Sequence, residues 1–207
     1  MEGYNIIKKF DTKRNKVFLA ERLNRRYIIK QYASRASLES EFKVLRALEG
    51  KANVPRAIHR SDNEIVMDYI PGDSLAVHYV KGNLLEMPLL AVQFAKFLKA
   101  FMSALPGYSI NDINYRNYII NKGICFGLDF EFIVEGTISR TAAEAVAFGL
   151  LVDSVPVDKK KLFLNTFLKE MGVKVADIRQ ELVKEINKRA RNMGTKVSAE
   201  DAVKVLE

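Results

Sequence analysis

The sequence predicts a two-lobed α+β protein, a small antiparallel sheet with one helix followed by a mainly helical half. Three observations predict it. Strand-like alternation fills residues 4–32 and short apolar runs recur between 54 and 70. From Leu84 onward, apolar residues recur at i, i+3 and i+4, the spacing of helices. Between the two regimes stands Pro71-Gly72, a pair that breaks regular structure. We therefore divide the chain into residues 1–71, strand-rich, and 72–207, helical.

Composition bounds the function. The 207 residues suffice for one large domain or two small lobes with cores of their own. Hydrophobic content of 48% and charged content of 28% are ordinary for a soluble globular chain. One cysteine, Cys125, cannot build a disulfide framework or a Cys-based metal site, so a reducing, cytoplasmic setting is expected. Cys125 lies in an apolar run and reads as a small core residue. The start, Met1-Glu2-Gly3-Tyr4-Asn5, has no signal-peptide pattern. The most apolar helix, near 88–105, is interrupted by Gln93, Lys96 and Lys99, so no membrane span is expected. A net charge of +8 fits an anionic partner such as nucleic acid, or simply a lysine-rich solvated surface; charge alone favours the surface.

In order, the strands come first. Tyr4 to Phe10 leads into a polar turn, Asp11-Thr12-Lys13-Arg14-Asn15, then Lys16 to Ala20. Leu23-Asn24-Arg25 turns the chain into Arg26 to Tyr32, where Lys30 closes the apolar run Tyr27-Ile28-Ile29. Residues 37–49 read as a helix with Ser37 as N-cap and Gly50 just past the end. Leu38, Phe42, Leu45 and Leu48 form its stripe. Glu39 and Glu41 both stand on this helix, and Glu41 lies nearer the stripe. Two short strands, 54–60 and 64–70, end at the Pro71-Gly72 break. His59 and His78 have no partner pattern that suggests a metal site or a triad.

Leu84 to Leu105 carries one long helical pattern, including Leu89, Leu90, Phe94, Phe97, Leu98 and Phe101, with Pro88 in its first turn and Pro106-Gly107 at its end. After it comes Ile110-Asn111-Asp112-Ile113-Asn114-Tyr115-Arg116-Asn117. Residues 118–127 read as a hairpin turning at Asn121-Lys122-Gly123, which brings Asn117 back beside Leu128-Asp129-Phe130-Glu131. Helices are expected at 141–151, 158–171, 174–193 and 198–206, with Gly172 and Gly194 separating the last three. The cations of Lys184 to Arg191 gather near a helix C-terminus, where the helix dipole favours them.

These residues carry a resemblance. Asp112 and Asn117 have the five-residue spacing of the kinase catalytic loop, and Asp129 opens an Asp-Phe-Glu in the place of Asp-Phe-Gly. Lys30 stands where the third strand of a kinase carries Val-Ala-Ile-Lys, and Glu41 where the αC-type helix carries its paired glutamate. Single matches are cheap; this ordered series is not. The chain thus resembles the protein-kinase-like superfamily over roughly residues 4–150, in particular the small atypical prokaryotic kinases. These include the RIO kinases, the small kinase of the KEOPS complex and, more distantly, the aminoglycoside phosphotransferases.

The resemblance implies phosphoryl transfer from ATP. Asp112 would act as base on the acceptor hydroxyl, and Asn117 and Asp129 would hold Mg²⁺ or Mn²⁺. Lys30, held by Glu41, would neutralise phosphate. Val17, Ile28, Met67 and Ile119 would wall the adenine, while Asp68 and Ile70 would offer it backbone groups. A small serine/threonine kinase, able to phosphorylate itself, is the favoured implication. A pseudokinase or RNA- or ribonucleoprotein-binding module is the alternative, and a small-molecule phosphotransferase the third. Three departures stand out: the phosphate-covering turn has no glycine, Ile110 replaces the His or Tyr two before the Asp, and Asn114 replaces the Lys two after it. No long activation segment ending in Ala-Pro-Glu is visible.

Overall fold

The computed structural model describes residues 3–111, 113–193 and 198–206. Five antiparallel strands form the first sheet: β1 (Asn5–Phe10), β2 (Lys16–Arg22), β3 (Arg25–Gln31), β4 (Ala57–Arg60) and β5 (Glu64–Asp68), in the order β1-β2-β3-β5-β4. Register decides what each face holds. Val17 pairs with Lys30, Leu19 with Ile28, and Ile28 with Met67, so alternation puts these residues on one inner face. Phe18, Ala20, Tyr27 and Ile29 take the outer face, where Ala20, Ile29 and Val66 form a small second core beneath Tyr4, Phe18 and Tyr27.

Helix α1 (Arg35–Leu48) buries Leu38, Val44, Leu45 and Leu48, with Glu41 buried beside them. It starts two residues earlier than the sequence reading, and its cap residue is Ser34, which makes no side-chain cap bond. The break at 71–72 is sterically fixed. Gly72 has φ +139°, and a Cβ there would lie 2.2 Å from the Ile120 carbonyl oxygen. Beyond it come a two-residue strand β6 (Asp73–Ser74) and helix α2 (Leu75–Lys81), a segment for which the sequence analysis gives no element. Its signal is present in retrospect, because Leu75 and Tyr79 are both buried at i, i+4.

The expected single helix from Leu84 is two pieces, a 3-10 turn at Leu84–Glu86 and α3 (Met87–Ala104). Leu89, placed on the apolar stripe by sequence, is 57% exposed; the buried face runs through Leu90, Phe94, Phe97, Leu98 and Phe101. Each fully buried phenylalanine contributes roughly 1.5–3 kcal/mol. Strand β7 (Tyr108–Ile110) follows, then β8 (Tyr118–Asn121), β9 (Ile124–Gly127) and β10 (Ile133–Glu135). β8 and β9 form the expected hairpin, and β6 extends it to three strands. β10 returns to pair with β7. Helices α4 (Ile138–Leu150), α5 (Val157–Met171), α6 (Val175–Met193) and α7 (Ala199–Lys204) close the fold, α5 against α3 and α6 against α4. α4 begins three residues before the expected start because Thr137 caps it, accepting from the Arg140 N–H. Gly194 and Asp112 lie outside the described residues. Among the described residues, no helix is long and apolar enough to cross a membrane.

Candidate active site

The site is built around the buried cation of Lys30 on β3. Its Nζ lies 2.7 Å from Glu41 Oε2, 2.7 Å from Asp129 Oδ1 and 2.7 Å from Glu131 Oε1. Three carboxylates from two distant segments therefore share one ammonium. Burial alone pushes Lys30 down, but the charges of Glu41 and Asp129 and the hydrogen bonds of Asp129 and Glu131 outweigh it and hold Lys30 above its ordinary range. Its charge is secure. For Glu41 burial is the largest influence and raises its pKa; Lys30 opposes the rise and Asp129 adds to it.

Glu41 is the hub. It accepts from Lys30 at 2.7 Å, from the Tyr32 hydroxyl at 2.8 Å and from the Phe130 backbone N–H at 3.3 Å. It thereby ties α1, the end of β3 and the Asp-Phe-Glu segment into one unit. Glu39, the competing helix glutamate, turns away and pairs with Arg60 and Arg35. Phe130 is fully buried and stacks near Phe97 and Phe101, which seats the segment on α3.

Asp129 behaves differently from its two carboxylate neighbours. Its side chain is 47% exposed, against 6% for Glu131, and its backbone is left-handed at φ +64°. A non-glycine residue in that region is strained and persists where its surroundings dictate it. The hairpin explains the placement. Tyr118 pairs with Gly127, and Leu128 N–H donates to the Asn117 carbonyl at 2.8 Å, so Asn117 and Asp129 stand at the two legs of one hairpin base. Gly127 permits this because a Cβ there would lie 2.1 Å from the Phe97 ring. A carboxylate and an amide at such a base are hard oxygen donors suited to Mg²⁺. Oxygens of Glu41, Asp129 and Glu131 also all fall within 4.8 Å of one another, with Lys30 among them as shared counter-charge.

The loop before Asn117 is anchored on both sides of Asp112. Asn111 N–H donates to the Phe132 carbonyl at 3.1 Å. Ile113 and Tyr115 are fully buried, and the Tyr115 hydroxyl donates to the Ala145 carbonyl at 2.9 Å. Asn114 caps the 3-10 turn Tyr115–Asn117 by accepting from Arg116 N–H, a local use for the residue that stands where kinases carry a lysine.

On the sheet side, Val17, Ile28 and Met67 share the inner face with Lys30, whereas Ile119 comes from β8 beneath Gly72. Asp68 spends its backbone N–H on the Arg56 carbonyl at 3.1 Å. The glycine-free turn is folded onto the site rather than held above it. Asn15 donates its side-chain amide to Glu131 and accepts from Ala33 N–H, and the Arg14 guanidinium lies 5.2 Å from the centre of the Phe132 ring. Glu131, Asn15 and Tyr32 are participants that the sequence reading did not single out. A hollow of about 360 Å³ lined by Gly50, Asn53, Gln93 and Phe97 includes none of the site's charged residues in its lining.

A lysine–glutamate pair between strand and helix, joined to an Asp-Phe-Glu segment beneath a five-stranded sheet, defines a protein-kinase-like fold. The chain belongs to the RIO domain family, whose model matches residues 4–125, more than half of its length. Solved structures agree on the fold. The ADP-bound aminoglycoside phosphotransferase APH(2'')-Ib is 15% identical with a TM-score of 0.68, over 99% of this chain and 94% of that one. The streptomycin–ATP complex of APH(2'')-IIa is 17% identical with a TM-score of 0.66, over 98% and 93%. The PK-1 kinase of Cydia pomonella granulovirus is 15% identical with a TM-score of 0.59, over 88% and 93%. No curated protein matches the chain in sequence. Family and fold together support a kinase-like phosphotransferase.

Proposed function

We propose that this chain is an ATP-dependent kinase that transfers the γ-phosphate to a hydroxyl, as a small atypical serine/threonine kinase able to use its own chain as an acceptor. The observation that carries this reading is the assembled Lys30–Glu41–Asp129 cluster at 2.7 Å contacts. Such a transfer is mostly positioning and charge stabilisation, which a prebuilt cluster supplies. Residues 1–71 form the nucleotide-covering lobe and 72–207 the lobe of the catalytic and metal loops. ATP lies under the sheet, its adenine between Val17, Ile28, Met67 and Ile119, with Asp68 and Ile70 supplying backbone groups. The ATP- and ADP-bound states of two neighbours support that choice of nucleotide. Lys30, held by Glu41, meets the phosphates. Asn117 and Asp129 hold Mg²⁺, which neutralises phosphate charge when bound. Asp112 takes up the proton of the acceptor hydroxyl.

One observation favours a second reading, a kinase-fold binding module with little catalysis. The turn that should cover phosphate is already engaged by Glu131 and Phe132. Labelled phosphate from Mg-ATP separates the two. The kinase reading expects label on the chain or on an added serine/threonine acceptor protein, lost in Asp112→Asn. ATP binding without any transfer, together with salt-sensitive RNA binding, would contradict it and support the module.

A further inference from the structure

The last long helix reaches the catalytic loop. Arg189 on α6 donates from Nη2 to the Ile113 backbone carbonyl at 3.2 Å, across 76 residues of sequence. Ile113 is the residue after Asp112 and is fully buried. A buried carbonyl needs a donor, and a guanidinium is a strong one.

Arg189 is itself held in place. Its Nε lies 2.8 Å from Glu185 Oε1, one helical turn earlier, and its guanidinium carbon sits 5.6 Å from the centre of the Phe148 ring on α4. Lys188 holds the other Glu185 oxygen at 3.0 Å, so the carboxylate that orients Arg189 is oriented in turn. The Arg189 side chain is only 11% exposed. A solvated helix cation can share a local ion pair, as Lys188 does, but it would not be buried and bonded to a distant backbone carbonyl as well. Arg189 itself lies beyond residues 4–125, the part of the chain matched by the family, while Ile113 lies within it.

We infer that Arg189 is a positioning residue for phosphoryl transfer, fixing from α6 the peptide that follows the catalytic Asp112. The inference rests on the kinase reading of the site. Its logic is one of division of labour. The downstream part of the loop is already fastened by buried Tyr115 and its bond to Ala145. Arg189 therefore governs the orientation of the peptide at 113 rather than the existence of the fold. Its contacts to Ile113, Glu185 and Phe148 belong to the loop and to α6 and α4 rather than to the Lys30 cluster, so nucleotide affinity should be indifferent to it.

The test compares the wild-type chain with Arg189→Gln and Arg189→Lys by four measurements. These are thermal midpoint, hydrogen–deuterium exchange of the peptide spanning 113–118, Mg-ATP affinity by calorimetry, and single-turnover transfer rate. Arg189→Gln should exchange faster at 113–118, keep its Mg-ATP Kd within about twofold, and lose about 10²-fold in rate, the penalty of a misplaced catalytic group. Arg189→Lys should recover part of the rate, because an ammonium still donates to the carbonyl. Unchanged exchange and an unchanged rate in Arg189→Gln would overturn the inference. So would a parallel loss of Kd and rate, which marks a merely structural residue. If Arg189→Gln does not fold, Arg189→Lys carries the test, and wild-type exchange and rate in that variant overturn it. A wild-type chain that transfers no phosphate overturns the kinase reading instead, and the exchange result still reports whether Arg189 holds the loop.

Discussion

Glu131 Oε1 lies 2.7 Å from Lys30 Nζ, so the residue in the place of the glycine of Asp-Phe-Gly supplies a second buried carboxylate to the lysine that Glu41 holds. The same glutamate accepts from Asn15 in the covering turn. An incoming phosphate must therefore displace Glu131 from Lys30 or share the lysine against like charge. Glu131→Gly is expected to tighten Mg-ATP binding about tenfold, roughly 1.4 kcal/mol, measured by calorimetry. Weaker binding would mean that Glu131 assists the nucleotide.

Removing the cation should expose what it neutralises. Lys30→Met leaves Glu41 and Glu131 buried without their counter-charge, a change that costs about 3–5 kcal/mol when a buried pair is broken. The deficit should depend on pH with a definite sign. Burial raises the folded pKa of Glu41, and a carboxylate so raised contributes less stability as pH rises, so the variant should unfold more easily at roughly pH 8 than at pH 5. Denaturant titrations at both values check this, and Mg²⁺ is expected to restore part of the loss.

The hairpin base depends on a missing side chain. Gly127→Ala drives a methyl into the Phe97 ring, where a Cβ would stand 2.1 Å from the nearest atom. We expect a loss of about 2 kcal/mol in a urea unfolding curve. Mg-ATP affinity should fall as well, because the same strand leads into Asp129.

Burial pushes the Cys125 thiol up to about 12 from its ordinary 9.0, and raises the Tyr79 hydroxyl above its ordinary 10.0. In the unfolded chain both ionise at their ordinary values, and in the folded chain they stay neutral. Stability should therefore fall as pH rises above about 9. Lys30, whose folded pKa is raised by its carboxylates, keeps its contribution through its ordinary 10.5 and loses it only at higher pH. Below this range Cys125 should resist alkylation in the native protein and react only on unfolding, as mass spectrometry of trapped samples would record.

Particular residues show what the sequence revealed and what it could not. Lys30 and Glu41 were legible only through the ordered resemblance to kinase motifs, since each alone reads as a solvated residue; the helical stripe served to choose Glu41 over Glu39, and the two meet at 2.7 Å. The hairpin between Asn117 and Asp129 was legible from its turn residues. Glu131 was not, because the letter in place of glycine does not say which way its side chain turns. Leu89 failed for a different reason. Helical spacing puts Leu89 about 100° round from Leu90, off the face buried by Leu90, Phe94, Leu98 and Phe101, and it is exposed. The Arg189–Ile113 bond joins segments that only the packing of α6 on α4 brings together, and no local pattern encodes it.

The most direct measurement is a calorimetric titration of ATP into the wild-type chain and into Asp129→Ala, each with and without Mg²⁺. If Lys30, Glu41 and Asp129 form a phosphoryl-transfer centre, the wild type binds ATP in a Mg²⁺-dependent way and Asp129→Ala loses that dependence. No binding at millimolar ATP, or equal Mg²⁺-dependent binding by both proteins, would contradict it.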